Sequence, residues 1–177
     1  GLGGLVHLPG ELVIQGNPSL SDLDGLALSS VGGLVSISGN TGMVSLNGLE
    51  SLERVDGYMR IAACPLTDLL PLRRLHHVGD DLIVSDLDGL TTLVGLSGLI
   101  TVGGVYISGN DALTSLEGLA VPSTIPKNVA ISFNLMLDDL SALTPVTAIG
   151  GVLELSRNAT LRSLDGLETL RDLGTLF

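Results

Sequence analysis

The sequence predicts an all-β fold, a parallel β-solenoid of about seven coils, and three observations predict it. Asn17, Asn40, Asn110, Asn134 and Asn158 return at nearly equal intervals, with Cys64 and Leu87 on the two vacant beats; successive gaps, from 40 − 17 to 158 − 134, are 23, 24, 23, 23, 24 and 24 residues. Five and three residues before each beat stands an apolar pair around a variable residue, as in Val35/Ile37 around Ser36. After each beat apolar residues recur every third position, as in Met43, Leu46, Leu49, Leu52 and Val55. A fixed period of this length is the signature of a repeat architecture in which each unit buries its apolar side against the next.

The pair before the beat defines a short strand. Spacing of two with a variable middle puts one face inward and one outward. The pairs are Leu12/Ile14, Val35/Ile37, Met59/Ile61, Leu82/Val84, Val105/Ile107, Val129/Ile131 and Leu153/Leu155. Glycine usually follows (Gly16, Gly39, Gly109), where a left-handed turn would strain any side chain. The spacing of three beyond the beat drifts by about 60° per step on an α-helix, so five such residues cannot share one helical stripe. Brief extended or 3₁₀ pieces turning at Gly25, Gly48, Gly95, Gly118 and Gly166 fit instead. Conventional leucine-rich repeats with helices on the convex side are the main structural alternative.

Stacked coils should pair like strands in parallel about 4.8 Å apart, giving a length of about 34 Å for seven coils. The beat asparagines then form a structural ladder, each amide satisfying backbone groups of its own and the adjoining coil. Cys64 retains a weak version of that role and Leu87 none, so coils three and four should hold the least regular corner. The whole of residues 1–177 reads as one array, with coils starting near Leu8, Val31, Val55, Val78, Val102, Ile125 and Ile149. Both ends fall mid-phrase, which predicts a piece of a longer protein, and any signal peptide is expected outside this chain.

Composition narrows the function. Hydrophobic residues make up 45% and aromatics only 2%, so the core must be Leu, Val and Ile. Nineteen acidic against eight basic residues give a net charge of −11, whose field repels phosphate backbones and anionic headgroups, so nucleic acid is not an expected partner. Mean hydropathy is +0.53, yet the uncharged stretch before Asn110 is rich in glycine and keeps the repeat register, so no membrane insertion is expected. The one cysteine, Cys64, reads as a small buried hydrophobe.

The phrase VGGLVSISGNTGMVSLNGLESL at Val31–Leu52, repeated as IGGVLELSRNATLRSLDGLETL at Ile149–Leu170, resembles the repeat of receptor L domains, relatives of the leucine-rich repeats. The resemblance runs from about Leu8 to Leu173. It implies a right-handed solenoid, display outside the cell or on its surface, and recognition through exposed strand faces or edges. The cysteine count departs from the disulfide-bearing L domains of hormone and growth-factor receptors and suits a microbial surface protein better.

No enzyme signature, cofactor motif or metal set emerges. His76 and His77 fill variable slots and should be solvated. SDLDGL at Ser21–Leu26 and Ser85–Leu90 lacks the later acidic ligands of a calcium loop, and its copies fall in different phases of the repeat. The sequon at Asn158 belongs to the ladder. Two outward series remain. Gln15, Ser38, Ala62, Ser85, Ser108, Ser132 and Ser156 form a small, mostly hydroxyl row that a structural or ice-binding solenoid could use. Arg60, Ile83 and Tyr106 occupy one outward position on successive coils, with Phe133 replacing the usual glycine on the next, and these four are the candidate binding residues. Val121–Lys127, with two prolines, is expected to protrude beside them. The expectation is therefore a non-enzymatic recognition or adhesion module for a protein or glycan ligand, or a spacer within an array, with end-to-end or edge self-association as the other contact it offers.

Overall fold

A computed structural model describes residues 2–176. Thirteen strands follow one another: β1 (His7–Leu8), β2 (Leu12–Gln15), β3 (Ser30–Val31), β4 (Val35–Ser38), β5 (Arg54–Val55), β6 (Met59–Ala62), β7 (His77–Val78), β8 (Asp81–Ser85), β9 (Gly104–Ser108), β10 (Thr124–Ile125), β11 (Val129–Ser132), β12 (Ala148–Ser156) and β13 (Asp172–Leu176). Every pairing is parallel. The long sheet runs β2-β4-β6-β8-β9-β11-β12, with β10 and β13 also beside β12, and a short sheet runs β1-β3-β5-β7. β12 is nine residues long and passes through the corner that separates the sheets elsewhere, pairing with β10 before it and β11 after it.

Register is like over like. Ile14, Ile37, Ile61, Val84, Ile107, Ile131 and Leu155 form one column from β2 to β12. On the third side of each coil the chain closes small turns: Leu49 N–H donates to Leu46 O (3.1 Å) and Leu52 N–H to Leu49 O (3.0 Å), and Leu72 and Leu75 repeat this one coil later. Each such turn sends one leucine inward, and Leu46, Leu49, Leu52, Leu69, Leu72 and Leu75 are fully buried. Spacing of three thus reflects linked 3₁₀-type turns. Only Leu70–Leu72 and Ser141–Leu143 qualify as 3₁₀ helices, and no α-helix occurs among the described residues, which overturns the helix-backed alternative. Among the described residues no helix is long and apolar enough to cross a membrane.

Glycine recurs at two corners of the coil, though not in every coil. Gly25, Gly48, Gly95, Gly118 and Gly166 all turn at positive φ, between 86° and 119°. The two coils without such a glycine use the 3₁₀ helices at that corner instead. At the corner between the sheets a Cβ on Gly79 would stand 2.1 Å from Asp56 O, and one on Gly150 2.3 Å from Pro126 O. A side chain added at either of these two glycines would press on the backbone of the preceding coil.

The expected protruding loop at Val121–Lys127 does not form. Thr124 and Ile125 pair with Ala148 and Ile149, Ile125 is fully buried, and Lys127 N–H donates to Gly103 O at 2.8 Å. Pro126 stands where other coils place the first glycine of the pair, a site where its ring points outward and the chain keeps its path. In the last full coil Leu161, Leu167 and Leu170 are half-buried and Leu164 is 58% exposed, because that coil is covered on one side.

Candidate functional site

The outer face of the long sheet carries the variable residues in columns. Ser36, Arg60, Ile83, Tyr106, Ala130 and Glu154 lie in register on consecutive strands, so three of the four expected binding residues do share a column. Arg60 is exposed, while Ile83 and Tyr106 are half-buried. Ser36 is buried instead of solvated, since the Gln15 amide folds over it and donates to its hydroxyl at 2.8 Å.

Alanine in this column makes a cleft. Ala130 sits between the larger Tyr106 and Glu154, two coil steps apart, and with Asn128, Val152 and Ser156 these residues line an open depression of about 500 Å³. Both walls are braced. Asn128 Nδ2 donates to Tyr106 Oη (3.0 Å) while its Oδ1 accepts from Val152 N–H (2.9 Å). Ser156 Oγ donates to Glu154 Oε1 at 2.8 Å. A glycine makes room for the brace: a Cβ on Gly151 would stand 2.1 Å from Asn128 Oδ1. Sequence reasoning missed this cleft, although the order Tyr, Ala, Glu in the variable slot was its signal.

Beside it, Lys127 pairs with Asp80 and stands 3.8 Å from Asp81 Oδ1. That oxygen is buried and accepts no hydrogen bond. Burial pushes the Asp81 carboxyl above its ordinary value, and the Lys127 charge works against the shift.

Phe133 does not belong to the column. It follows β11 at the corner, with φ at 58°, 47% exposed, and Arg157 stacks over its ring at 4.8 Å. All seven residues at this corner are left-handed, but only Gly16, Gly39 and Gly109 are glycine; Ala63, Asp86, Phe133 and Arg157 hold the same turn with side chains. A left-handed residue with a Cβ costs about 1–2 kcal/mol, and glycine's extra freedom in the unfolded chain returns about half of that. Ala63→Gly should therefore stabilise the fold by about 0.5–1 kcal/mol, read as a rise of a few degrees in Tm; an unchanged or lowered Tm would contradict the corner geometry.

The asparagine ladder is present and directional. Each Asn after Asn17 reaches back one coil: Asn110 Oδ1 accepts from Leu87 N–H (3.1 Å) and its Nδ2 donates to Val84 O (3.1 Å), and Asn134 treats Asn110 N–H and Ile107 O alike. Asn158 does the same for Asn134 N–H and Ile131 O, and Asn40 for Asn17 N–H and Ile14 O. Cys64 offers only a thiol, which turns to Ala62 O at 3.3 Å in its own coil, and Leu87 offers nothing. The ladder accordingly breaks between Asn40 and Leu87, in coils three and four as expected.

Other features take structural places. His76 is exposed, but His77 is half-buried, contrary to expectation: its Nδ1 lies 2.5 Å from Thr101 Oγ1, and burial pulls the imidazole below its ordinary value, helped by Arg54 and opposed by Asp56. The first SDLDGL copy turns on itself, with Asp22 accepting from Ser21 Oγ (2.7 Å) and Asp24 N–H (3.0 Å), whereas the second ends β8 and enters the corner at Asp86. The serine row stacks in register, yet Ala62 and Ser85 are buried, so its exposed hydroxyls are discontinuous.

No protein-family model, curated protein or solved structure matches the chain.

Proposed function

We propose that this chain is a non-enzymatic recognition or adhesion module of receptor L-domain kind, displayed outside the cell or on its surface, that binds a protein or glycan on the outer face of the long sheet. The observation that carries the reading is the single in-register column of Arg60, Ile83 and Tyr106 ending in the Ala130 cleft, whose walls are braced before any ligand arrives. Preorganised aromatic and arginine side chains on a rigid sheet lose little entropy on binding, which is how few residues come to dominate an interface. The resemblance of the repeat phrase to that of receptor L domains supports display, and the −11 charge supports a partner that is not a polyanion.

Peptide and glycan arrays probed with the purified chain would supply ligands for the test. Arg60→Ala combined with Tyr106→Ala is expected to weaken their binding at least tenfold while Tm stays within about 2 °C, since both side chains project from the sheet. Ligands that bind the double variant as well as the parent chain would rule out this face.

A further inference from the structure

The cleft at Ala130 has a chemical preference of its own. Glu154 is its one charged wall, half-buried, and no Lys, Arg or His among the described residues lies within ion-pair distance of it. Its Oε1 is taken by Ser156, while Oε2 accepts nothing from the described residues. The polar groups around it are partly spent on one another: the Ser156 hydroxyl donates to Glu154, and Asn128 gives one amide hydrogen to Tyr106 and its oxygen to Val152. A carboxylate with one oxygen free of donors and a braced aromatic ring thus line one cleft, with Ala130 between them.

We infer that the Ala130 cleft receives a cationic side chain of a partner protein, arginine in preference to lysine, with its charge on Glu154 and its stem or plane against Tyr106. Two coil steps separate the walls by about 9.6 Å between backbones, which leaves about 6 Å after the side chains are counted, enough for a flat guanidinium or an alkyl stem. A guanidinium carries five donors and no acceptor, so it satisfies an open carboxylate oxygen without needing a donor in return, and it stacks on aromatic rings. A saccharide hydroxyl seeks both a donor and an acceptor, and the committed Ser156 and Asn128 serve it less well. The chain's one lysine, Lys127, is occupied by Asp80 and Asp81, so it does not fill the cleft. The surrounding negative field draws a basic segment towards it.

This inference rests on the outer face being the recognition surface, and the experiment separates the two. The isotope-labelled chain is titrated with N-acetyl-arginine methylamide, its uncharged citrulline counterpart and N-acetylglucosamine, following backbone amide resonances. Arginine is expected to shift Ala130, Val152 and Glu154, citrulline to bind at least tenfold more weakly, and Glu154→Gln, which keeps the Ser156 contact, to abolish the arginine response. Equal responses to arginine and citrulline, arginine shifts spread over the whole acidic surface, or a response surviving in Glu154→Gln would overturn the cationic assignment. A stronger response to the saccharide at the same amides would also overturn it, leaving the recognition face intact. Ala130→Trp fills the cleft; if array-selected ligands bind that variant and the double Arg60/Tyr106 variant unimpaired, the recognition face itself fails.

Discussion

Asn110→Ala is expected to lower the unfolding free energy by about 2–5 kcal/mol. Asn110 is fully buried, and its side chain is the partner of Leu87 N–H and Val84 O in the preceding coil. Alanine leaves that N–H unpaired and takes a bond from that carbonyl where water cannot replace it, at about 1–3 kcal/mol for each buried group. Asn17→Ala is the matched control. Asn17 is exposed, its amide is shared between Gln15 O in its own coil and Asn40 Oδ1 in the next (both 3.1 Å), and water can take over at this exposed site, so the cost should stay below about 1 kcal/mol. Urea unfolding of both variants measures the difference. Equal losses would mean that the asparagines are not carrying the corner.

Gly95→Ala should be at least as damaging, by a different route. Gly95 holds φ at 119°, a conformation that side-chain-bearing residues avoid, and an added Cβ would stand 2.1 Å from Leu69 O and 2.4 Å from Leu69 C. Backbone cannot swing aside as a flexible side chain does. Strain of about 1–3 kcal/mol adds to the forced separation of two coils, for a total of about 3 kcal/mol or more. For a chain of this length that is a fall in Tm of about 6–12 °C. Gly16→Ala isolates the conformational part, because Gly16 has φ at 66° and nothing within 4 Å of the added atom. Its cost should be about 1 kcal/mol. A Gly95→Ala variant melting with Gly16→Ala would show that the coils do not approach as closely as described.

Much of this architecture was legible in the residues because a period of 23–24 has few physical causes. Asn110, Asn134 and Asn158 had to align once each coil needed the next, and the in-out alternation of Val105-Tyr106-Ile107 fixed which side chains face outward. Legibility failed where alternation stops. Phe133 lies three residues beyond Ala130, where continued alternation would turn it inward, but it is itself the left-handed corner residue and stands exposed beside the column's end. Ser36 reads as solvated by position and is buried by Gln15, a contact set by side-chain reach across coils. Prolines at Val121–Lys127 suggested a protrusion, yet a ring at Pro126 is compatible with the coil because the ladder bond there comes from Lys127. The Ala130 cleft is a missing side chain framed by two neighbours, which becomes visible only after register is known.

Stacking of identical positions on adjacent coils is the claim on which the cleft and the ladder both depend, and paired cysteines test it most directly. Ser108 and Ser132 are register partners on β9 and β11, while Ser156 lies one strand further on β12. Oxidised Ser108→Cys/Ser132→Cys should form an intramolecular disulfide in nearly all molecules, because neighbouring parallel strands place the Cα atoms about 4.8 Å apart, within the span a disulfide bridges. Ser108→Cys/Ser156→Cys, about 9.6 Å apart, should form none. Cross-linking of the second pair as readily as the first would contradict the parallel, in-register stack.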